Sequence, residues 1–313
     1  MQRLEVLKNF APGEVGGFLA TIQRQLATNA PAIYVIANWM NSNQRANEAI
    51  TWLESLPEAM REQQPVSLAL SDSFFTAEKW AELEKYLANR DWKELEFLRL
   101  AYLSHAADKR EMAVIAEAHW RSAVREANDR LGALTALLSL AGKWNKQDQL
   151  EELLWRIGGR FSEAKWAYRE LERRYFTTGN TLGLNKVYSA QLESDPGNQL
   201  LKNNLASTSL LLHTRLTEAH QLAFEIYSRE TNAITASTYA YSLHVQGKAP
   251  QGLAVLQMLD PDQLKRQPVA CYYGLLLHVA GKVDQARPYL ETAAHSRTLL
   301  PEEKRLVEDC LGH

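Results

Sequence analysis

The chain has 313 residues, of which 46% are apolar and 23% are charged, and its formal net charge is −2. This composition is typical of a folded protein with enough apolar side chains to bury a large core. The balanced charge excludes the basic field that drives non-specific binding to nucleic acids, and also the acidic excess of a disordered tail.

The number of cysteines and the length of the apolar segments indicate the cellular compartment. Cys271 and Cys310 are too few for a disulfide framework or a zinc site of four cysteines, which predicts two thiols in a reducing compartment. Residues 1–10 lack the apolar segment of a secretory signal, and the longest nearly apolar stretch, residues 270–281, is too short to cross a bilayer. We therefore expect a cytoplasmic protein with no membrane segment.

Helical periodicity runs along the whole chain, interrupted at short intervals by Gly, Pro, Asn or Asp, and strand signals are nearly absent. This pattern predicts an all-α fold of about nine helix pairs. The predicted second helices of these pairs span residues 14–28, 45–56, 78–89, 110–127, 147–157, 180–193, 216–229, 250–259 and 283–295.

Residues 1–160 form the first predicted region, in which repeats are divergent and rich in tryptophan. All eight tryptophans lie between Trp39 and Trp166. We interpret them as packing residues that fill gaps between irregular repeats, and the alternative is an aromatic surface for a partner. Packing is favoured because several fall in predicted second helices, namely Trp52, Trp80, Trp120 and Trp155.

Residues 161–300 form the second predicted region, in which the repeats are regular. The pair Gly247-Lys248 recurs as Gly281-Lys282, 34 residues later. A period near 34 in a helical chain indicates helix–turn–helix repeats. The aligned positions in the second helices are Leu184, Ala219, Gly252 and Ala286.

These units resemble the tetratricopeptide repeat family, which has a small residue at the eighth place, a large one at the eleventh and a turn residue, often Gly, at the fifteenth. The eighth place is held by Glu172, Ser207, Ala240 and Gly274, and the eleventh by Tyr175, Leu210, Leu243 and Leu277. The fifteenth is held by Gly179, Thr214, Gly247 and Gly281. Glu172 and Leu184 depart from the pattern. The resemblance implies an α-α superhelix, or solenoid, of stacked helix pairs.

Residues 301–313 form the third predicted region. The segment begins with Pro and two acids and ends near Gly, which predicts a helix. It is polar enough to cap the open end of a stack, so we expect a C-terminal capping helix.

The resemblance also implies that the first helices of the pairs line a concave face. The residues matched to inward-pointing places are Arg169, Arg173, Asn204, Thr208, Ser237, Tyr241, His244, Cys271, Leu275 and His278. Arg, Tyr, His and amide side chains suit peptide recognition, and the alternative is a solvated face with no ligand. The row does not match the Lys and Asn clamp with which the family holds C-terminal carboxylates.

Charged and metal-binding residue types give weaker signals. Arg169 and Arg173 share one helical face, which favours either a site for an acidic peptide or a solvated charged face. His244 and His278 recur 34 residues apart, but two histidines do not complete a metal site, so we expect neither metal nor cofactor. Nucleotide-binding, zinc-protease and serine-hydrolase motifs are absent, so we expect no enzyme.

The sequence therefore predicts a non-catalytic scaffold or adaptor that binds a protein or peptide on its concave face. Two alternatives remain. One is an RNA-binding helical repeat resembling the pentatricopeptide class, which the net charge disfavours, and the other is a non-catalytic subunit of an enzyme complex. Repeats of this kind can also associate with each other through their open ends.

Overall fold

The structure, a computed structural model, describes residues 2–312. These residues form 21 α-helices and two short 3-10 helices, and this described part of the chain contains no strand. Within each of the two units defined below, most helices that follow one another along the chain pack together. The predicted all-α fold is confirmed. The chain divides into two compact units, Met1–Trp144 and Asn145–His313, which are called unit 1 and unit 2.

Unit 1 is built from ten helices and two 3-10 turns, Pro12–Glu14 and Lys93–Leu95. Its helices are α1 Gln2–Phe10, α2 Val15–Gln25, α3 Ala30–Ser42, α4 Ala46–Glu54, α5 Glu58–Arg61, α6 Val66–Thr76, α7 Trp80–Leu87, α8 Glu96–Lys109, α9 Ala113–Ala127 and α10 Leu131–Lys143. The core of this unit includes Ile33, Leu53 and Leu83, which are completely buried.

The tryptophans pack inside the protein, as predicted. Trp39, Trp92 and Trp120 are buried, and each of the other five is at least partly buried. In unit 1 the ring of Trp144 stacks on Phe75 at 5.7 Å and lies 4.4 Å from the ring of His105. These ring contacts join the end of α10 to α6 and α8, so the aromatic side chains are internal packing groups.

Unit 2 contains eleven helices. They are α11 Gln147–Arg160, α12 Trp166–Thr178, α13 Thr181–Ser194, α14 Gln199–Leu211, α15 Leu216–Arg229, α16 Ala233–Val245, α17 Ala249–Leu256, α18 Pro261–Leu264, α19 Val269–Val279, α20 Val283–Ala294 and α21 Pro301–Leu311. The nine predicted second helices correspond to α2, α4, α7, α9, α11, α13, α15, α17 and α20. Each begins and ends within three residues of its predicted bounds.

Gly247 and Gly281 end α16 and α19 in the same way. Their φ angles are 74° and 75°, in the left-handed region that favours glycine. The N–H of Lys248 donates to the carbonyl of Leu243 at 2.8 Å, and the N–H of Lys282 donates to that of Leu277 at 2.9 Å. Both ends are therefore Schellman motifs, and the predicted equivalence of these two turns is confirmed.

The same left-handed turn recurs along most of the chain. Positive φ angles that end the first helix of a hairpin occur at Gln44, Glu78, Glu111, Asn145, Gly179, His213, Gly247 and Gly281. Each lies 34 residues after the one before, except that Glu111 follows Glu78 by 33. Within residues 1–160 the turns therefore have the same conformation as in the regular repeats, although their residue types differ. The fifteenth place in the second regular repeat was wrong by one residue, because His213, not Thr214, has the left-handed conformation.

Close helix approaches explain the small residues of the repeats. A Cβ added to Gly252 would lie 2.6 Å from the backbone oxygen of Ala240, so α16 and α17 touch through this position. In the first regular repeat the contact is made one residue earlier than predicted. There a Cβ at Gly183 would lie 2.6 Å from the ring of Tyr175, whereas the predicted Leu184 is an ordinary buried side chain.

Candidate functional site

A cavity of about 290 Å³ lies in unit 2 against successive first helices. Its polar lining comes from Asn203, Asn204, Ser207, Thr208, Thr238, Thr298 and Glu303. Its apolar and aromatic lining comes from Phe176, Leu184, Tyr188, Ile234, Pro268, Tyr272 and Leu300. Helices α12, α13, α14, α16 and α19 thus line the cavity, and residues 298–303 cross to form another side. Glu303 is the one charged lining residue among those described.

The amide of Asn203 is the least satisfied group of the cavity. Asn203 is only 5% exposed, and no described residue gives its Oδ1 a hydrogen bond. A buried acceptor without a donor is costly, so this oxygen favours a ligand or water that brings an N–H or O–H group. Ser207 lies one turn further along α14, on the same helical face.

Thr208 is held in place by a buried polar network behind the cavity. The amide of Asn185, on α13, donates to the hydroxyls of Thr208 at 3.0 Å and Ser209 at 2.8 Å. Arg215 in turn donates to the Asn185 oxygen at 3.0 Å. The Thr208 hydroxyl donates to the carbonyl of Asn204. Because these bonds use its hydroxyl, Thr208 shapes the wall and is not a free hydrogen-bonding group.

Two apolar side chains of the lining remain open to solvent. Phe176, near the end of α12, is 45% exposed, and Ile234, in the first turn of α16, is 51% exposed. Exposed apolar residues beside polar ones are a feature of recognition sites, where they take up apolar groups of a ligand. The cavity therefore combines hydrogen-bonding side chains with exposed apolar side chains.

The C-terminal helix supplies the remaining wall. Glu303, in the first turn of α21, is 5% exposed and accepts a hydrogen bond of 2.6 Å from the hydroxyl of Tyr272. Its second oxygen accepts the N–H of Leu300 at 2.8 Å. Burial raises the pKa of this carboxyl, and these two hydrogen bonds oppose the rise. Helix α21 packs on α19 and α20, as a cap would, but its first turn also closes the cavity.

Two of the predicted site residues line the cavity. Asn204 and Thr208, both on α14, are part of its wall. The structure therefore brings this part of the predicted row to a single site.

Four of the remaining eight predicted residues are not presented to a ligand. Ser237, Tyr241, Cys271 and Leu275 are at most 5% exposed, so their assignment to an open concave face was wrong. On α19 the physical reason is that α21 packs on this helix, with the carbonyl of Glu303 3.8 Å from the Sγ of Cys271. Burial raises the pKa of Tyr241 to about 12, and the thiol of Cys271 and the carboxyls of Glu303 and Glu302 add to the rise.

Arg169 and Arg173 lie on an exposed face of α12 and do not line the cavity. Arg173 forms an ion pair of 2.6 Å with Glu170 on the same helix. The hydrogen bond from Arg173 lowers the pKa of Glu170. An exposed pair at this spacing is an ordinary helix-surface contact, so the cavity offers no support for an acidic-peptide site built on these arginines.

His244 and His278 occupy matching places three residues before the left-handed glycines, and their carbonyls accept the N–H of Gly247 and Gly281. Burial lowers the pKa of His244, and its ring stacks on Tyr241 at 5.9 Å. Neither histidine lines the cavity. Their recurrence follows from the repeated turn. Within residues 2–312 no group of three or more His, Cys, Asp or Glu side chains is placed to hold a metal ion.

The remaining polar and aromatic lining residues escaped sequence reasoning. Thr238 and Tyr272 each lie one residue after a predicted position, Ser237 and Cys271, so the predicted inward register of α16 and α19 was one residue early. Asn203 and Ser207 flank predicted positions on α14. Glu303 was not predicted to line a site, because it falls in the segment predicted to be the C-terminal capping helix.

Comparison with models of known protein families gives no match, and comparison with curated proteins gives none at a significant level. Across the described residues, no helix combines the length and apolarity that crossing a bilayer requires.

Proposed function

We propose that the chain is a non-catalytic scaffold of tetratricopeptide type, with about nine stacked helix hairpins, that binds an extended segment of a partner protein in the cavity of unit 2. The recurring left-handed turns and the close approach at Gly252 support the repeat type. The observation that carries the binding site is Asn203, a lining residue of this cavity whose buried side-chain oxygen has no donor among the described residues.

The lining favours a peptide with uncharged side chains. A main-chain N–H supplies the donor that Asn203 lacks, and aliphatic side chains suit Phe176 and Ile234. The described lining includes no Lys or Arg, so neither a strongly acidic segment nor a nucleic-acid backbone finds a counter-charge here. Peptide recognition is therefore preferred to the RNA-binding alternative.

The test starts from the immobilised full chain. Proteins that it retains from its native source are identified, and overlapping synthetic peptides of each are titrated by isothermal calorimetry. We expect Asn203→Ala to weaken binding of the responding peptide about tenfold, the effect of losing one hydrogen bond in a desolvated site. The variant should fold normally, because no hydrogen bond to the Asn203 oxygen is lost with the side chain.

The matched control is the double variant Arg169→Glu, Arg173→Glu, which changes an exposed face of α12 outside the cavity. Its peptide affinity should stay within about twofold of that of the unmodified chain. If the control loses binding while Asn203→Ala keeps it, the partner binds the outer surface of α12 and the proposed site is wrong.

A further inference from the structure

Residues 298–303 cross the cavity of unit 2, and they are called the strap. Two adjacent residues of the strap anchor it on two sides. On one side Glu303 is bonded to Tyr272 on α19. On the other side the hydroxyl of Thr181, in the first turn of α13, donates a hydrogen bond of 2.5 Å to Glu302. The strap therefore joins the α12–α13 turn to the last hairpin of the unit.

The second anchor also includes a close backbone approach. A Cβ added to Gly179 would lie 2.9 Å from Cγ of Pro301, so the ring of this proline rests on the turn between α12 and α13. Gly247 and Gly281 have the same left-handed backbone, and no described atom lies within 4 Å of a Cβ added at either. The contact at Gly179 is therefore specific to the strap and does not come from the turn itself.

The two anchors differ greatly in extent. Helix α21 buries Val307 and Glu303 among the side chains of α19 and α20, whereas at the α12–α13 turn the strap makes one hydrogen bond and one proline contact. An element held by few contacts opens locally at lower free energy than one packed in the core. The Thr181 side of the strap is thus the weaker side.

The volume of the cavity limits the size of the ligand that fits while the strap is in place. At about 290 Å³ it lies at the lower limit of sites for small molecules, too small for an extended peptide of several residues. Thr298, Leu300 and Glu303 form the wall that limits it.

We propose that the strap is a gate, closed by the contacts of Glu302 with Thr181 and of Pro301 with Gly179, and that a peptide partner enters the cavity of unit 2 when these contacts break and the strap, including Glu303, lifts. The gate rests on the proposed function for its biological meaning, but its opening is a property of the chain alone. It gives the scaffold a closed state in which its own C-terminal segment excludes the partner.

Cys271 reports the opening without any partner. It is completely buried, and its Sγ lies 3.8 Å from the carbonyl oxygen of Glu303, which covers it. Burial also raises its pKa well above the ordinary thiol value, so reaction with a disulfide reagent requires exposure. In a Cys310→Ser background Cys271 is the one remaining cysteine, and its rate of reaction with dithionitrobenzoate measures how often the strap lifts.

Two variants weaken the gate in different ways. Thr181→Val removes the hydroxyl and keeps the shape, and Gly179→Ala pushes against Pro301. We expect each to increase the labelling rate of Cys271 about tenfold, which is the factor expected for the loss of a hydrogen bond to a charged group. Hydrogen exchange at the amides of residues 300–304 should accelerate in parallel.

Each variant has a control with the same chemical change away from the strap. Thr177→Val removes an exposed hydroxyl on α12, and Gly247→Ala places a Cβ on the same left-handed backbone with no atom nearby. Both controls should label at the rate of the Cys310→Ser parent. Equal labelling in all five proteins would show that the strap is not gated at Thr181 and Gly179. Peptide binding by the unmodified chain would still decide the proposed function separately.

Discussion

The hydroxyl of Tyr272 and the carboxylate of Glu303 are joined by a hydrogen bond of 2.6 Å, and both side chains are at most 5% exposed. This contact places a titratable acid inside the fold at the wall of the cavity. Because burial raises the pKa of Glu303, the neutral carboxyl is favoured in the folded protein relative to the unfolded chain.

Glu303→Gln should therefore change how stability depends on pH. An acid with a raised folded pKa contributes stability below its unfolded pKa, and this contribution is lost as the pH rises through the folded value. Chemical denaturation between pH 4 and 8 should show a smaller decline for Glu303→Gln than for the unmodified chain. Glu308→Gln, an exposed change on the same helix, should leave the decline unchanged.

Asp72 gives the same kind of test in unit 1. Burial raises its pKa to about 6, although the hydroxyl of Tyr102 donates to it and Lys143 lies near enough to lower it. Its contribution to stability is present below about pH 4 and is lost as the pH rises through 6. The change in unfolding free energy that Asp72→Asn causes in unit 1 should be more favourable at pH 7 than at pH 4 by roughly 1–3 kcal/mol. Urea unfolding followed by tryptophan fluorescence at both pH values measures it. The exposed Glu126→Gln should show no such effect.

The left-handed turns predict a stabilising substitution. Glu111 is exposed and has a φ of 61°, a conformation that costs a residue with a Cβ about 1 kcal/mol. Glu111→Gly should therefore raise the free energy of unfolding by about 1 kcal/mol, and Gly281→Ala should lower it by a similar amount. A decrease with Glu111→Gly would mean that its side chain forms contacts that outweigh the strain.

We predict that alanine is not tolerated in place of Gly252, although alanine occupies the matching places Ala219 and Ala286. A Cβ here would lie 2.6 Å from the backbone oxygen of Ala240, which cannot move aside as a flexible side chain would. Gly252→Ala should destabilise unit 2 by about 1–3 kcal/mol in thermal or urea unfolding. The same change at Gly132, where no described atom lies within 4 Å, should be neutral or stabilising.

The sequence predicted the helices well, because their amphipathic pattern and the glycines at 179, 247 and 281 are visible in the residue types. It missed the same period in unit 1, because Gln44, Glu78 and Glu111 take the left-handed conformation without a residue preference that announces it. The backbone hydrogen bonds of each turn, not the side chain at its apex, maintain the period there.

The sequence predicted only those lining residues whose position follows from their place on a single helix. Asn204 and Thr208 follow from their places on α14, but the burial of Cys271 depends on α21. Periodicity describes which face of a helix is buried and does not reveal which distant segment covers it. The contact between Thr181 and Glu302, at a sequence separation of 121 residues, carries no local signal.

That contact also limits how the chain can change in length. An array of hairpins can in general gain or lose one member, since each touches only its neighbours. Between Thr181 and Pro301, however, three hairpins turn at His213, Gly247 and Gly281. Removing one, or adding a fourth, would carry Glu302 away from Thr181. The contact between these two residues is therefore compatible with only three hairpins in this segment.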